Sequence, residues 1–305
     1  YRYHGNKAYL EQSRDYITAL LRQLMTQIAP DGQECLDGTR FLDWPSNSNK
    51  DAIAAGLQAL MVWGMRVGVE FAELFEDRQL SNDCKAAEKK LVKAASKVYK
   101  KFLASCPAPD APGSKQVTAL MTITGLIDAP KADKEFLSIN GAQGFSTFYG
   151  YYMLEAMAMA GNYQGALDVI REYWGAMIDL GATSFWEDFD INWIPNAAPI
   201  DELVPEGKKD IHGDCGAYCY VGFRHSLCHG WASGPTSWLS RHILGVEVIE
   251  PGCRQVRITP HLGDLQWVKG TFPTPYGELQ IYHEKQANGN VISEVKAPKG
   301  VSVIK

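Results

Sequence analysis

The chain has 305 residues, of which 46% are hydrophobic and 21% charged, a composition typical of globular domains and not of disordered, collagen-like or coiled-coil chains. Its formal net charge of -5 provides no broad positive surface for a phosphate backbone, so we expect no nucleic-acid partner. No run of about 18 uncharged apolar residues occurs, so we expect no membrane span.

The N-terminal four-fifths of the sequence predicts helices. Apolar residues recur at helical spacing from Asn6 to Ala29, and Pro30-Asp31-Gly32 ends the pattern. The same period predicts further helices over 51–74, 82–103, 115–127, 131–138, 145–160, 163–180 and 231–243. Consecutive helices separated by Gly or Pro indicate stacked helical hairpins.

The pattern changes at Gly245, where short β-branched runs begin. They predict strands at 246–248, 255–259, 265–271, 278–283, 291–295 and 301–304. Asn288-Gly289-Asn290 is a hairpin signal between two of these runs. We therefore expect two domains, a helical one over 1–244 and an antiparallel β domain over 245–305.

The segment 181–193 is the most informative for function. It interleaves the acids Glu187, Asp188 and Asp190 with four aromatic residues, after a helix that Gly181 ends. Such a mixture is typical of a carbohydrate site, where rings stack on the apolar face of a sugar and carboxylates bind hydroxyls or move protons. The alternative is that Asp188 or Asp190 only caps the next element.

Two other segments place polar groups beside aromatic rings. His229 precedes Gly230 and Trp231, where small residues allow close approach of the backbone, and it is a candidate to face a cleft. Its alternative role is that of a buried, hydrogen-bonded structural histidine. Asp43 and Trp44 form a third candidate, although Asp43 before Trp-Pro also suits a turn.

A group of thiols and imidazoles that lie close in sequence could in principle bind a metal ion. The group consists of Cys215, Cys219, Cys228, His212, His225 and His229. Their spacing is not a standard zinc pattern, which favours scattered thiols in a loop, and we expect no metal. Phosphate-binding glycine loops, H-E-x-x-H pairs and G-x-S-x-G elbows are also missing from the sequence, so we expect no cofactor.

The run from Ser226 to Leu239, continued by Glu250-Pro-Gly, Ile258-Thr-Pro-His and Gly263-Asp-Leu, resembles the C-terminal end of bacterial α-L-rhamnosidases. Residues 181–190 are similar to the Gly-Ala-Thr-Thr-Phe/Val-Trp-Glu motif of that family. The resemblance implies a mainly α fold with a C-terminal β domain, as part of an (α/α)6 six-hairpin barrel followed by an antiparallel β-sandwich. It also implies inverting hydrolysis of terminal α-L-rhamnosyl bonds.

The same resemblance implies roles for individual residues. Glu187 matches the general base, which takes a proton from the attacking water, and Trp186 would fix its position and limit water. His229 matches a histidine that contacts the sugar. Trp44 matches a stacking tryptophan, with Asp43 as a weaker companion. Inversion requires two carboxyl groups about 6.5 to 9.5 Å apart, which leaves room for the water.

One departure from the family concerns the general acid. In the family it lies on an acid-rich Asp…Arg…Gly-Trp-x-Gly-Asp stretch, which does not occur between Tyr1 and Asp43. We therefore expect this chain to be the C-terminal part of a longer polypeptide that continues before Tyr1, and to be inactive alone. A periplasmic or extracellular location would require a signal peptide in that preceding part, and a cytoplasmic one would not.

Two alternatives to a rhamnosidase remain open. One is a carbohydrate-binding or catalytically incomplete segment that holds a glycan without cleaving it. The other is an (α/α)6 glycosidase that acts on a different sugar, because a fold alone does not determine the substrate.

Overall fold

The computed structural model describes residues 1–210 and 226–304. It divides into two compact units, one formed by Asp15–Gly234 and the other by Tyr1–Arg14 together with Pro235–Lys305. The first unit is helical, and the second carries the main strands. The predicted combination of a mainly helical chain with a C-terminal β region is confirmed.

All the helices expected from the sequence are present. They are α1 (Lys7–Gln12), α2 (Arg14–Thr26), α3 (Lys50–Leu74), α4 (Arg78–Ser105), α5 (Ser114–Ile123), α6 (Ala129–Ala132), α7 (Gly150–Met159), α8 (Tyr163–Asp179) and α9 (Gly234–Trp238). Short π-helical turns extend α6 over Asp133–Leu137 and α9 over Leu239–Ile243. The first predicted helix is two helices in the structure, and the helix predicted over 145–160 begins only at Gly150.

Asparagine and aspartate fix where several helices begin. The side chains of Asn49, Asp77 and Asn162 each accept a hydrogen bond from the backbone N–H three residues later, at the starts of α3, α4 and α8. This bond satisfies one of the N–H groups that a helix start leaves without an intrahelical partner.

Helices α3 and α4 form the core hairpin of the helical unit. A Cβ atom at Gly68 would lie 2.8 Å from the Cys84 sulfur, so the glycine permits the close packing of the two helices. Within the described residues, α3 is the one helix long and apolar enough to cross a membrane. However, 56% of its most apolar stretch is buried inside the fold, which is typical of a core helix.

Within residues 1–210 and 226–304, the strands form three sheets. Their bounds are β1 (Ala197–Ala198), β2 (Lys209–Asp210), β3 (Val246–Glu250), β4 (Gln255–Ile258), β5 (Trp267–Thr274), β6 (Gly277–Lys285), β7 (Val291–Lys296) and β8 (Ser302–Ile304). The sheet β5-β6-β7 is antiparallel, and the sheet β3-β4-β8 is mixed because β4 and β8 run parallel. The expectation of a purely antiparallel β domain is corrected at this pair. The preceding strand, β7, belongs to the other sheet, and β8 crosses from there to pair with β4 in the same direction.

The N-terminal segment belongs to the β unit. The Arg2 carbonyl accepts a 2.8 Å hydrogen bond from the backbone N–H of Gly252, and the ring of Tyr3 lies 6.3 Å from that of Phe272. Sequence periodicity could not show these contacts because about 250 residues separate the partners.

The buried His283 makes the stability of the β unit sensitive to acid. Its Nδ1 lies 2.7 Å from the Ser293 hydroxyl and its Nε2 lies 3.1 Å from the Leu244 carbonyl, while burial lowers the pKa of the imidazole. As the pH falls, the His283 imidazole is protonated in the unfolded chain before it is protonated in the folded chain. The contribution of neutral His283 to stability is therefore present above the ordinary histidine pKa and is lost as the pH falls.

We predict that the free energy of unfolding of the wild type, measured in urea, falls more steeply from pH 7 to pH 5 than that of His283→Gln. The difference in slope cannot exceed about 1.4 kcal/mol per pH unit, because one proton is involved. Parallel pH profiles for the two proteins would contradict this role for His283.

Candidate active site

Glu187 lies in an extended segment that follows α8. Gly181 ends the helix with a φ of 91°, and the chain then runs beside residues 226–229. The N–H of Glu187 donates to the Ser226 carbonyl at 2.8 Å, and the N–H of His229 donates to the Phe185 carbonyl at 2.7 Å. These bonds bring the two segments singled out in the sequence side by side.

The Glu187 carboxylate is held by one of its two oxygens. Its Oε2 accepts a 3.0 Å hydrogen bond from the N–H of Ser226 and lies 3.8 Å from Nδ1 of His229. The side chain of Glu187 is 18% exposed and that of His229 is 34% exposed. Among the described residues, no hydrogen bond reaches Oε1. One oxygen of the carboxylate is therefore anchored by a backbone donor.

The main-chain carbonyl of Glu187 is fixed separately. It accepts a 2.5 Å hydrogen bond from the hydroxyl of Thr147 and a 2.7 Å hydrogen bond from the indole N–H of Trp231. Thr147 is 2% exposed, so its bond is shielded from water. Both lone pairs of this carbonyl are occupied, which sets the direction of the backbone at Glu187.

A row of aromatic rings leads away from His229. The imidazole centroid is 4.5 Å from the ring of Trp231, which in turn lies 5.5 Å from Phe148. The row continues from Phe148 to Tyr152 at 5.8 Å and from Tyr152 to Trp63 at 5.9 Å. These rings are partly exposed and form an apolar surface of the kind on which the apolar face of a sugar can stack.

Asp43 is buried and fully engaged in hydrogen bonds. Its Oδ1 accepts from the N–H of Trp44 at 3.0 Å, and its Oδ2 accepts from Gln116 at 3.1 Å and from the Ser146 hydroxyl at 2.6 Å. Burial raises the pKa of the carboxyl group, although the bonds from Ser146 and Gln116 act in the opposite direction. Asp43 thus closes its loop, as the turn interpretation expected, and holds the backbone of Trp44.

Trp44 and Trp186 are placed differently. Trp44 is partly exposed and packs edge-on against Phe41, with ring centroids 5.0 Å apart. Trp186 is 0% exposed and packs edge-on against Phe189 at 6.0 Å. The ring of Trp186 therefore supports the segment of Glu187 from the core and presents no surface to a sugar.

Helix α5 contacts the chain that leads into the segment 145–149. The ammonium of Lys115 donates to the carbonyls of Ile139 at 2.8 Å and Gly141 at 2.7 Å, and it lies 5.0 Å from the centre of the Phe145 ring. Lys115 is 0% exposed, and burial lowers its pKa to about 8. Its neighbour Gln116 binds Asp43, so two consecutive residues of α5 anchor both the Asp43 loop and the chain that leads into 145–149.

Sequence reasoning missed Ser146, Thr147 and Gln116. Residues 145–152 read Phe-Ser-Thr-Phe-Tyr-Gly-Tyr-Tyr, and the helical period predicts a helix that begins at Phe145. Neither hydroxyl caps α7, because Ser146 bonds to Asp43 and Thr147 bonds to the Glu187 carbonyl, so no local signal indicated these roles. Gln116 lies inside a helix, and nothing local indicates its distant partner.

Four of the candidate metal ligands lie outside the described residues: Cys215, Cys219, His212 and His225. Within residues 1–210 and 226–304, the structure has no group of three or more His, Cys, Asp or Glu side chains arranged to hold a metal ion.

Comparison with known proteins gives two results. Residues 245–304 match the family model of the bacterial α-L-rhamnosidase C-terminal domain. The chain also superposes over 99% of its length on the GH78 family rhamnosidase of Bacillus sp. GL1, with a TM-score of 0.71 and 21% identity. The chain resembles the C-terminal part of α-L-rhamnosidases. The resemblance inferred from the sequence motifs is thereby confirmed.

Two further structures have the same fold. The Streptomyces avermitilis α-L-rhamnosidase complexed with L-rhamnose gives a TM-score of 0.70 at 18% identity, and the Aspergillus terreus enzyme gives 0.72 at 16%. Each match covers 99% of this chain. This chain spans only 31% of the Bacillus chain, 28% of the Streptomyces chain and 34% of the Aspergillus chain. No curated protein sequence matches the chain.

The buried ammonium of Lys115 predicts a pH-dependent stability. The unfolded chain keeps this proton up to the ordinary lysine pKa of 10.5, whereas the folded chain loses it near pH 8. Between pH 8 and pH 10.5 the unfolded chain binds more protons at Lys115 than the folded chain does. The free energy of unfolding therefore rises with pH over this range and falls as the pH is lowered towards 8. We expect the wild type to gain about 1–2 kcal/mol in free energy of unfolding relative to Lys115→Met between pH 7.5 and pH 9.5.

The measurement is urea unfolding of both proteins at four or five values of pH. The variant serves as the control for all other titrating groups, because it changes only the one at position 115. A difference in stability that stays constant over this range would show that Lys115 is not desolvated as the structure indicates.

Proposed function

We propose that this chain forms part of an inverting α-L-rhamnosidase and supplies its general base, Glu187. The observation that carries the proposal is the carboxylate of Glu187. One of its oxygens is anchored by the N–H of Ser226, and it lies beside the half-exposed imidazole of His229 at the end of a row of aromatic rings.

The anchored carboxylate suits a general base. Its Oε2 is oriented by a backbone donor that does not move with side-chain rotation, and Oε1 is the oxygen proposed to bind the attacking water. A positioned carboxylate takes the proton from this water as the water attacks the anomeric carbon. Inversion follows if the second carboxyl group lies on the opposite face of the sugar.

The sugar is held by His229 and by stacking. The imidazole of His229 is 34% exposed and donates to, or accepts from, a hydroxyl of the rhamnose ring. Trp44 and the exposed edges of Trp231 and Phe148 provide apolar contact. Rhamnose carries a methyl group in place of a hydroxymethyl group, and burying that methyl against aromatic rings is favourable.

Asp43 and Trp186 act on the sugar indirectly. The Asp43 carboxylate already accepts three hydrogen bonds from the protein, so its contribution is to orient Trp44 through the backbone N–H. Trp186 fills the core behind Glu187 and excludes water from that side.

The general acid is proposed to lie in another part of a longer polypeptide. The solved rhamnosidases are about three times as long as this chain. Rhamnosidase activity belongs to those proteins, and its transfer to this chain rests on Glu187 and His229.

The test uses the natural polypeptide that contains these residues, with an aryl α-L-rhamnoside as substrate. We expect Glu187→Gln to lower kcat by about 100-fold or more, because the amide cannot accept the proton of the water. Glu202→Gln, an exposed acid in the next loop, is the matched control and should retain wild-type turnover. Wild-type turnover by Glu187→Gln would exclude Glu187 as the base.

The same assay separates the alternatives. A panel of aryl glycosides tests whether another sugar is preferred. Binding of L-rhamnose with no cleavage of any substrate by the natural polypeptide would favour a carbohydrate-binding segment.

A further inference from the structure

We infer that Ser146 and Thr147 are positioning residues that fix the two sides of the sugar site relative to each other. This inference rests on the proposed function, because the two sides are the Asp43-Trp44 loop and the segment of Glu187. The hydroxyl of Ser146 donates to Oδ2 of Asp43 at 2.6 Å, and that of Thr147 donates to the carbonyl of Glu187 at 2.5 Å.

Adjacency in the chain is what makes the pair effective. Consecutive Cα atoms are held about 3.8 Å apart by covalent geometry, so the backbone positions that carry the two hydroxyls cannot separate. Asp43 and Glu187 are 144 positions apart in the sequence, with Ser146 and Thr147 each bridging to one of them. One dipeptide therefore links the two sides of the site directly.

The dipeptide is itself immobilised. Ser146 is 3% and Thr147 is 2% exposed, and the Ser146 carbonyl accepts a 2.8 Å hydrogen bond from the N–H of Gly150 at the start of α7. On its other side, Phe145 lies against the ammonium of Lys115 in α5. Two helices thus hold the pair, which is the kind of support that keeps a site within the tolerance catalysis needs.

Thr147 acts on Glu187 through the carbonyl that Trp231 also binds. The indole N–H of Trp231 therefore reports the position of that carbonyl, independently of any sugar. Removing the Thr147 hydroxyl while keeping its shape leaves the indole as the only side-chain donor to the carbonyl among the described residues.

The test compares Thr147→Val with Thr147→Ser in the 305-residue chain. Valine keeps the volume and removes the hydroxyl, whereas serine keeps the hydroxyl. The readouts are the ¹H–¹⁵N cross-peak of the Trp231 indole, assigned with Trp231→Phe, and the affinity for L-rhamnose by calorimetry. Thermal unfolding shows whether the variants remain folded.

We expect Thr147→Val to move the Trp231 cross-peak and to weaken L-rhamnose binding about fivefold, the effect of one hydrogen bond. Thr147→Ser should restore both readouts. An unmoved cross-peak and wild-type affinity in a folded Thr147→Val protein would overturn the inference.

Failure of the proposed function gives a different result. If the wild-type chain does not bind L-rhamnose, the proposed sugar site is wrong for this chain, but the cross-peak still decides the role of Thr147. A cross-peak that moves in Thr147→Val and returns in Thr147→Ser supports positioning, and one that moves equally in both variants contradicts it. Ser146→Ala provides the matching test on the Asp43 side, where the reporter is the backbone N–H of Trp44.

Discussion

The main-chain carbonyl of Glu187 is the acceptor on which the geometry of the candidate site depends. Glu187 lies in neither a helix nor a named strand, so regular secondary structure does not fix its direction. Instead, Thr147 and Trp231 donate to its carbonyl, and residue 226 is bonded to both its backbone N–H and its carboxylate. Each such bond contributes only about 0.5–1.5 kcal/mol, but together they fix the backbone at Glu187 and one oxygen of its carboxylate.

A buried lysine, Lys115, also helps to fix the chain near Glu187. Burial of the Lys115 ammonium is unfavourable, as its lowered pKa shows, but its bonds to two carbonyls shape the chain that enters residues 145–149. Asn140 and Gly141 take positive φ values of 57° and 53° in the same stretch. Asparagine and glycine are the residues that adopt this left-handed conformation most readily, so the turn and the bonds from Lys115 together set the path of the chain into 145–149.

The sequence predicted the elements better than the contacts between them. Helical periodicity located α3 and α8 because each buries one face over many turns, and the Asn-Gly-Asn turn located the hairpin between β6 and β7. The carbohydrate motifs led to Glu187 and His229, which the structure brings within 3.8 Å. The bonds from Ser146 and Gln116 to Asp43 join residues 103 and 73 positions apart, and no local pattern encodes such pairs.

A crystal structure of this chain with L-rhamnose would show directly whether Glu187 and His229 form a sugar site. We expect the sugar against the rings of Trp231 and Phe148, with a hydroxyl bonded to His229 and a water molecule on Oε1 of Glu187. Rhamnose bound at another surface, with the region around Glu187 occupied only by solvent, would contradict it.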